Sequence, residues 1–419
     1  MSTSEAGQAS ESAGAAYRSG NRISPTRFIV GFGLVSALAD VVYEGARSII
    51  GPYLGTLGAT AAMVGLVTGL GEAAALVLRV FTGRLTDRTQ RPWPQTILGY
   101  AMTAICVPLL ALTSSLAPAA LLYTGERVGK AVRTPARDTM LAHASAEMGR
   151  GYAFGLHEAL DQIGAMLGPL LIAGVLAWTG HYRLAFGMLA VPGLLAIVMV
   201  ARLRRAAPDP TRWEPEVSVA ESKRLRLETG LPAAFWHYAA FSAVTMLAFS
   251  TWAVLGYHLV VRHLVAPAIV PVLYAVAMGA ASLAAVAFGR LYDRYSLRGL
   301  LVLPFLAALV PALSFSDNPV AFTVGALVWG AAMGVHESTM RAAVADFVPA
   351  HRRGAAYGTF TAVYGLAWLG GAALIGALYD QGVGVVTAFV GGVQVVALVL
   401  IVTLLRRMRP PADQPAALR

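Results

Sequence analysis

The chain of 419 residues has few charged side chains and almost no cysteine. Only 13% of its residues are charged, whereas soluble domains carry roughly 25%. Its one cysteine, Cys106, excludes a disulfide framework and any two-cysteine metal or redox motif. Because 57% of the residues are hydrophobic, the chain lacks the polar surface to cover soluble domains and is too apolar to be disordered. The composition therefore indicates a lipid bilayer as the solvent.

Long apolar runs fill most of the sequence. A helix that crosses a membrane needs about 20 apolar residues, and we count about twelve such runs. The fourth run is the least apolar, because Glu126, Arg127, Lys130 and Arg133 lie within it. The predicted fold class is an all-α polytopic membrane protein with twelve transmembrane helices. The runs cover residues 28–50, 61–82, 95–115, 118–141, 151–178, 184–203, 233–261, 266–289, 299–315, 320–344, 354–378 and 384–405.

Polar segments divide the runs into two groups of six. We predict a disordered tail over residues 1–26, a linker over 204–231 and a short tail over 407–419, with the two six-helix bundles at 27–203 and 232–406. If the N-terminus is cytoplasmic, nearly all arginines between the runs lie on the cytoplasmic side. The positive-inside rule therefore predicts that both termini and the linker are in the cytoplasm and that the chain lies in the cytoplasmic (inner) membrane. It also accounts for the net charge of +10 without a nucleic-acid partner.

Two short segments of the first half recur in the second half, about 200 residues further on. The loop after the second run reads Gly-Arg-Leu-Thr-Asp-Arg over residues 83–88, and the loop after the eighth run reads Gly-Arg-Leu-Tyr-Asp-Arg over 289–294. The segment 150–155 likewise resembles 353–358. An internal repeat of this kind is typical of transporters that are built from two related bundles.

With twelve runs, a central linker and the Gly-x-x-x-Asp-Arg loop in both halves, the chain resembles the major facilitator superfamily along nearly its whole length. The resemblance implies two pseudo-symmetric six-helix bundles and transport by alternating access. It also implies that helices one, four, seven and ten line the transport cavity.

The fifth run resembles the antiporter signature of this superfamily, a glycine series that ends in Gly-Pro. The helix-interface residues Gly155, Gly164, Gly168 and Pro169 match its spacing, whereas Ile172 stands where a closing glycine pair begins. By resemblance, these glycines pack closely across the interface between the bundles, and the motif favours proton-coupled efflux of a drug or metabolite. Two alternatives stay open. The chain could be a proton-coupled symporter that imports a nutrient, or a membrane sensor that transports nothing.

Ionisable side chains within the apolar runs are the predicted proton-coupling residues. A charge at the centre of a membrane-spanning helix costs roughly 2.5–3.5 kcal/mol, so these groups must line a hydrated cavity or pair with one another. A histidine with a carboxylate one turn away can pass protons. The alternative is a set of structural ion pairs, such as Glu44 with Arg47. The predicted group is Asp40, Glu44, Glu126, His157, Glu158 and Asp161.

Charged and aromatic side chains of the cavity-lining helices and of helix eleven are predicted to bind substrate. Aromatic rings can stack on an organic compound, although such rows of rings also serve simple packing. The predicted residues are Arg127, Lys130, Trp252, Glu337, Tyr364 and Trp368.

The repeated loops and one acid of helix four are predicted to act as conformational gates. By resemblance, Asp87 contacts the start of helix eleven near Gly354, where a carboxylate meets the positive end of the helix dipole, and Asp293 makes the equivalent contact near Gly151. The alternative for the arginines is a purely topological role. The predicted gate residues are Gly83, Asp87, Arg88, Arg91, Asp138, Gly289, Asp293 and Arg294.

Motifs for catalysis are missing from the sequence. Residues 125–130 have the wrong spacing for a phosphate-binding loop, and neither HExxH nor GxSxG occurs. We therefore expect no enzymatic activity, no metal and no cofactor, with the proton gradient as the energy source. The expected partners are a small-molecule substrate, protons and the lipid bilayer, and we expect a monomer.

Overall fold

The structure is a computed structural model that describes residues 22–145, 150–213, 231–337, 343–344, 346–348 and 353–408. Most of the predicted tails and most of the predicted linker lie outside the described residues. The part of the chain that the structure describes is helical and has no β-strand. Its helices are α1 (Pro25–Thr56), α2 (Ala61–Thr89), α3 (Pro92–Leu109), α4 (Leu116–Ala144), α5 (Arg150–Thr179), α6 (Tyr182–Met188), α7 (Ala190–Ala206), α8 (Ala233–Leu247), α9 (Trp252–Val261), α10 (Ile269–Tyr295), α11 (Val302–Ser314), α12 (Pro319–Glu337), α13 (Arg353–Tyr379) and α14 (Val383–Arg407).

Ten helical segments of the described chain are long and apolar enough to cross a membrane. One of them, Ile269–Ser314, has 46 residues and contains both α10 and α11, so it is long enough for two crossings. Helix α4 is not among the ten, because its charged side chains at 126–133 lower its hydropathy. Counting α10 and α11 separately and adding α4 gives the twelve helices that the sequence predicts.

The chain divides into two compact units. The first is built from described residues of Met1–Ile50 and Val77–Leu227, and the second from those of Gly51–Leu76 and Glu228–Arg419. The predicted bundle boundaries stay a prediction, and the two units differ from them at one place. The end of α1 and the beginning of α2 belong to the second unit.

Aromatic side chains form a core at the N-terminal end of the first unit. Phe28 and Phe32 lie one turn apart on α1, and their ring centroids are 6.1 and 5.8 Å from that of Trp93 on α3. The indole nitrogen of Trp93 donates a hydrogen bond to the carbonyl oxygen of Ala207, at 3.2 Å. This packing fixes α1 against α3 and against the end of α7.

Glycines bring α5 very close to α1 in the first unit. A Cβ atom on Gly164 or Gly168 would collide with the backbone of α1 at Ala37 and Val41. Such small-residue contacts let two helix backbones approach closely in a membrane. The sequence analysis expected this packing across the interface between the bundles, whereas the structure places it inside the first unit.

The seventh predicted helix is interrupted in the second unit, where residues 248–251 separate α8 from α9. The interruption frees backbone carbonyl groups, which must find donors where water is excluded. The indole of Trp329 donates to the Ser250 carbonyl oxygen at 2.7 Å, and the amide of Gln394 donates to that of Thr245 at 3.0 Å. Side chains of α12 and α14 therefore stabilise a break that the apolar run did not predict.

Candidate functional site: a buried charged network

The charged side chains of α4 lie inside the first unit. Glu126 and Arg127 are each 1% exposed, and Arg133 is 2% exposed. Helix α4 continues through these positions although Gly125, Gly129 and Pro135 are poor helix formers, so packing rather than local propensity keeps it helical. Helix α3 comes close to α4 because Gly99 of α3 and Gly129 of α4 face each other. A Cβ atom on Gly129 would lie 2.9 Å from the Gly99 carbonyl oxygen.

Glu126 is at the centre of the charged contacts on α4. Its Oε2 lies 3.1 Å from Nε of Arg127, and its Oε1 lies 3.9 Å from Nη1 of Arg133. Thr103 of α3 links two of these groups. Its hydroxyl donates to Glu126 at 3.3 Å and accepts a hydrogen bond from Arg133 at 2.5 Å. Two bases thus surround one carboxylate, which offsets the cost of burying the charges.

The ring of Tyr43 on α1 makes cation–π contacts with two basic side chains of α4. The Lys130 Nζ atom lies 3.7 Å from the ring centroid, and the Arg127 Cζ atom lies 3.9 Å from it. The Tyr43 hydroxyl accepts a hydrogen bond from Arg47 at 3.2 Å, and Arg47 pairs with Glu44 at 3.5 Å. The pair of Glu44 and Arg47 is the structural alternative that the sequence analysis left open.

A second group of polar contacts surrounds Arg137, nearer the C-terminal end of α4. Its guanidinium pairs with Asp138 at 2.9 Å and donates to the Ser36 hydroxyl at 3.3 Å. Ser36 also contacts the Tyr100 hydroxyl at 3.0 Å and Nε2 of His157 at 3.4 Å. His157 is therefore connected to Arg137 through a serine, and not to the carboxylate one turn along α5 that the sequence suggested.

Asp40 on α1 and Asp161 on α5 are further acids of the first unit, and Asp161 also interacts electrostatically with Arg137. Each carboxyl interacts electrostatically with the other and with Lys130 and Arg133. The Oδ1 atom of Asp161 is buried and has no hydrogen-bond partner among the described residues. Two nearby buried carboxylates oppose each other's ionisation, so this pair is a candidate for proton binding.

Other predicted residues of α5 lie outside this network. Glu158 is exposed, and its carboxylate accepts a hydrogen bond from Gln162 at 3.4 Å. Gly155 is exposed, whereas Pro169 is buried beside the glycine contacts with α1. Participation of Glu158 in proton coupling stays a prediction.

The predicted gate residues lie at the ends of helices. At the end of α2 the Gln90 backbone has φ 51°, and its side chain donates to the Asp87 carbonyl oxygen at 2.7 Å. The contacts proposed near Gly354 and Gly151 stay predictions. Two predicted gate residues, Gly83 and Gly289, are half-buried, and Asp138 is described above. The other predicted gate residues are exposed, namely Asp87, Arg88, Arg91, Asp293 and Arg294.

The aromatic residues predicted to bind substrate are buried in the second unit. Trp252 is 2% exposed, and its ring centroid lies 5.3 Å from that of Trp329. Tyr364 and Trp368 are one turn apart on α13, with centroids 6.0 Å apart. Glu337 is half-buried at the end of α12.

The sequence predicts no role for His336, the second-last residue of α12. Its ring lies 5.0 Å from that of Phe249 and 5.8 Å from that of Tyr364. Both ring nitrogens are buried and have no hydrogen-bond partner among the described residues. An unsatisfied buried polar group costs about 1–3 kcal/mol, so the imidazole is a candidate for binding a polar group.

Sequence reasoning also missed Tyr43, Ser36, Tyr100 and Thr103. None of them carries a charge at neutral pH, so no charge within an apolar run marked them in the sequence. The one available signal was the position of Tyr43, next to Glu44 and one turn after Asp40. Among the described residues no group of three or more His, Cys, Asp or Glu side chains could hold a metal ion.

Comparison with known proteins agrees with this architecture. The sequence profile described as Major Facilitator Superfamily matches residues 32–316 and 265–419. The chain therefore belongs to the Major Facilitator Superfamily and is a multi-pass membrane transporter. Its family consists of transporters rather than enzymes.

The chain is also similar to individual relatives and solved structures. An uncharacterized protein of Mycobacterium tuberculosis is 50% identical over 90% of this chain and 93% of its own length. The fosmidomycin resistance protein of Escherichia coli is 28% identical over 44% of this chain and 46% of its own length. The solved nucleoside transporter NupG has a TM-score of 0.68 at 15% identity, over 90% of this chain and 99% of the other. A peptide transporter in complex with sulfate has a TM-score of 0.70 at 16% identity, over 91% and 94%. At these identities the two structures show the fold alone.

Proposed function

We propose that this transporter exports a small organic compound by alternating access, driven by protons that move in the opposite direction. The observation that carries the proposal is the pair of Asp40 and Asp161 beside Lys130 and Arg133 in the first unit. The proton gradient across the cytoplasmic membrane is the proposed energy source, without a cofactor.

The proton-binding role follows from the charges around Asp161. A buried ionised carboxylate is costly unless a base pairs with it, and its Oδ1 has no hydrogen-bond partner in the described part of the chain. Asp161 is therefore expected to bind a proton in this arrangement. Loss of that proton creates a charge that Lys130 or Arg133 can neutralise. Proton exchange would thus change which ions pair across α1, α4 and α5.

Substrate recognition is proposed for one set of side chains in each unit. In the first unit, Arg127 and Lys130 present positive charge near the Tyr43 ring. In the second unit, the two ring nitrogens of His336 have no hydrogen-bond partner within the described ranges and lie among aromatic rings, which suits a planar compound with polar substituents.

Export is favoured over import by two features. The glycines and proline of α5 match the antiporter signature, and a similar protein of E. coli is named for resistance to fosmidomycin. Resistance is the expected consequence of export. The nucleoside and peptide transporters share only the fold, so they do not decide the direction.

The proton-coupling test uses purified protein in liposomes that contain a pH-sensitive dye. Fosmidomycin is the first probe, followed by nucleosides and dipeptides, and thermal stabilisation by the compound selects the probe for transport. We expect Asp161→Asn to abolish proton movement driven by the probe, because the amide cannot take up a proton. Exchange of labelled for unlabelled probe should continue, since it needs no proton cycle. Asp209→Asn, in the polar segment after α7, is the matched control.

Three outcomes would contradict the proposal. Proton movement that persists in Asp161→Asn would show that this carboxyl does not carry the proton. A probe that moves in the same direction as the protons would identify a symporter. If no compound of a broad panel moves while several bind, the sensor alternative is favoured.

A further inference from the structure

The first turn of α2 is capped by a residue that lies 319 positions away in the sequence. The Asp380 carboxylate follows the end of α13, and its two oxygens accept hydrogen bonds from the backbone N–H groups of Ala61 and Ala62, at 3.3 and 3.2 Å. The next N–H group, that of Met63, donates to the Thr60 hydroxyl at 3.3 Å. Free N–H groups at a helix start need such acceptors, and a carboxylate is favoured there by the helix dipole.

Small residues hold the two helices together beside this cap. A Cβ on Gly376 would collide with the backbone of Ala61, and a Cβ on Gly65 would collide with that of Ala372. The spacing of four residues on each helix places these contacts on one face. The beginning of α2 and the end of α13 therefore meet backbone to backbone within the second unit, and Asp380 closes the end of this contact.

The end of α1 makes a contact of the same kind with α9. A Cβ on Gly51 would collide with the backbone of Ala253, and a Cβ on Gly256 would lie 3.3 Å from the Pro52 ring. Because α1 crosses the membrane once, both contacts lie on the membrane side opposite to the start of α1. Two helix pairs are thus closed on one side, and of these two the α2–α13 pair has a charged cap formed by described residues.

We infer that Asp380 is a latch residue of the transport cycle, which stabilises the state in which the membrane side at the start of α2 is closed. The inference rests on the alternating access of the proposed function and not on its proton coupling. An alternating-access transporter must separate its helices on this side to open it. The two hydrogen bonds to the Asp380 carboxylate break when α2 and α13 move apart by a small distance. Hydrogen bonds weaken beyond about 3.2 Å, and the helix dipole acts only within the first turn.

The latch also has a counterpart in the sequence. Asp87 lies in the last turn of α2 and is predicted to contact the start of helix eleven, which is α13. Asp380 makes the reverse contact, from the end of α13 to the start of α2. Each aspartate would then stabilise the closure of a different membrane side.

The test measures chemical accessibility in the full-length protein and needs no substrate. The only native cysteine is removed by Cys106→Ser, and Thr68→Cys is the reporter, because Thr68 is 3% exposed on the face of α2 that carries Gly65. Its reaction with a water-soluble maleimide in lipid nanodiscs reports opening on this side. Loss of a helix cap shifts an equilibrium by about tenfold, so we expect Asp380→Ala to raise the reaction rate about tenfold. Asp380→Asn keeps one oxygen acceptor and should have a smaller effect.

Two controls separate latch opening from other effects. Asp317→Asn removes an exposed carboxylate from the loop after α11 and should leave the Thr68→Cys rate unchanged. Ser314→Cys reports unfolding, since Ser314 is fully buried in α11, and it should stay unreactive in every variant. An unchanged Thr68→Cys rate in Asp380→Ala would overturn the inference. An equal rise at Ser314→Cys, or the same rise in Asp317→Asn, would also overturn it. Proton movement in the liposome assay tests coupling separately.

Discussion

The close contact between α5 and α1 predicts opposite effects for the same substitution at two glycines of α5. At Gly168 a Cβ atom would lie 2.9 Å from the nitrogen of Gly45 and would also collide with the Val41 backbone. Backbone atoms cannot move aside as the end of a flexible side chain can. At Gly174, six residues further along α5, nothing lies within 4 Å of an added Cβ.

The expected magnitudes follow from two known effects. Replacing glycine by alanine inside a helix stabilises it by roughly 0.5–1 kcal/mol, because alanine loses less backbone entropy on folding. Overpacking in a filled contact costs typically 1–3 kcal/mol. We therefore expect Gly174→Ala to raise the unfolding free energy slightly. We expect Gly168→Ala to lower it by about 1–2 kcal/mol once the helix gain is subtracted.

The assay is reversible unfolding in mixed detergent micelles, followed by helical circular dichroism and extrapolated to zero denaturant. Comparing the two alanine variants cancels the general effect of adding a methyl group to α5. Equal unfolding free energies for Gly168→Ala and Gly174→Ala would refute the reasoning, because they would show that α1 does not restrict this position.

Two further predictions concern a ring contact and a pH effect. Tyr43→Phe should lower the unfolding free energy by about 1 kcal/mol, because the hydroxyl contact with Arg47 is lost. Tyr43→Leu should lower it by about 2 kcal/mol more, because the desolvated cation–π contacts are lost as well. Equal losses in the two variants would exclude a role for the ring. The hydrogen bond from Arg262 lowers the pKa of the exposed Asp317 carboxyl, so this group stabilises the fold above its unfolded pKa and loses the effect as the pH falls through its folded pKa. The difference in thermal stability between the native chain and Asp317→Asn should therefore be present at pH 6 and shrink progressively as the pH falls below 3.8, the ordinary pKa of the group. A difference that stays constant over this range would contradict the assignment.

The sequence predicted the helices better than the partners of their side chains. The length of a membrane crossing is set by the bilayer, so apolar runs predict the number of helices. Helical periodicity predicts that Glu126, Arg133 and Arg137 share a face of α4. It does not predict which atoms meet, and the structure pairs Glu126 with its sequence neighbour Arg127 and with Arg133, and Arg137 with Asp138.

By itself, then, the sequence determined the class of protein, the helix count and the presence of buried charge, because these depend on composition and on spacing along one chain. The tertiary structure decided the contacts between distant segments. The Tyr43 ring beneath two cations, the break at residues 248–251 and the Asp380 cap on α2 each depend on how far and in which rotation two helices approach. Spacing within a single helix leaves that distance and rotation undetermined.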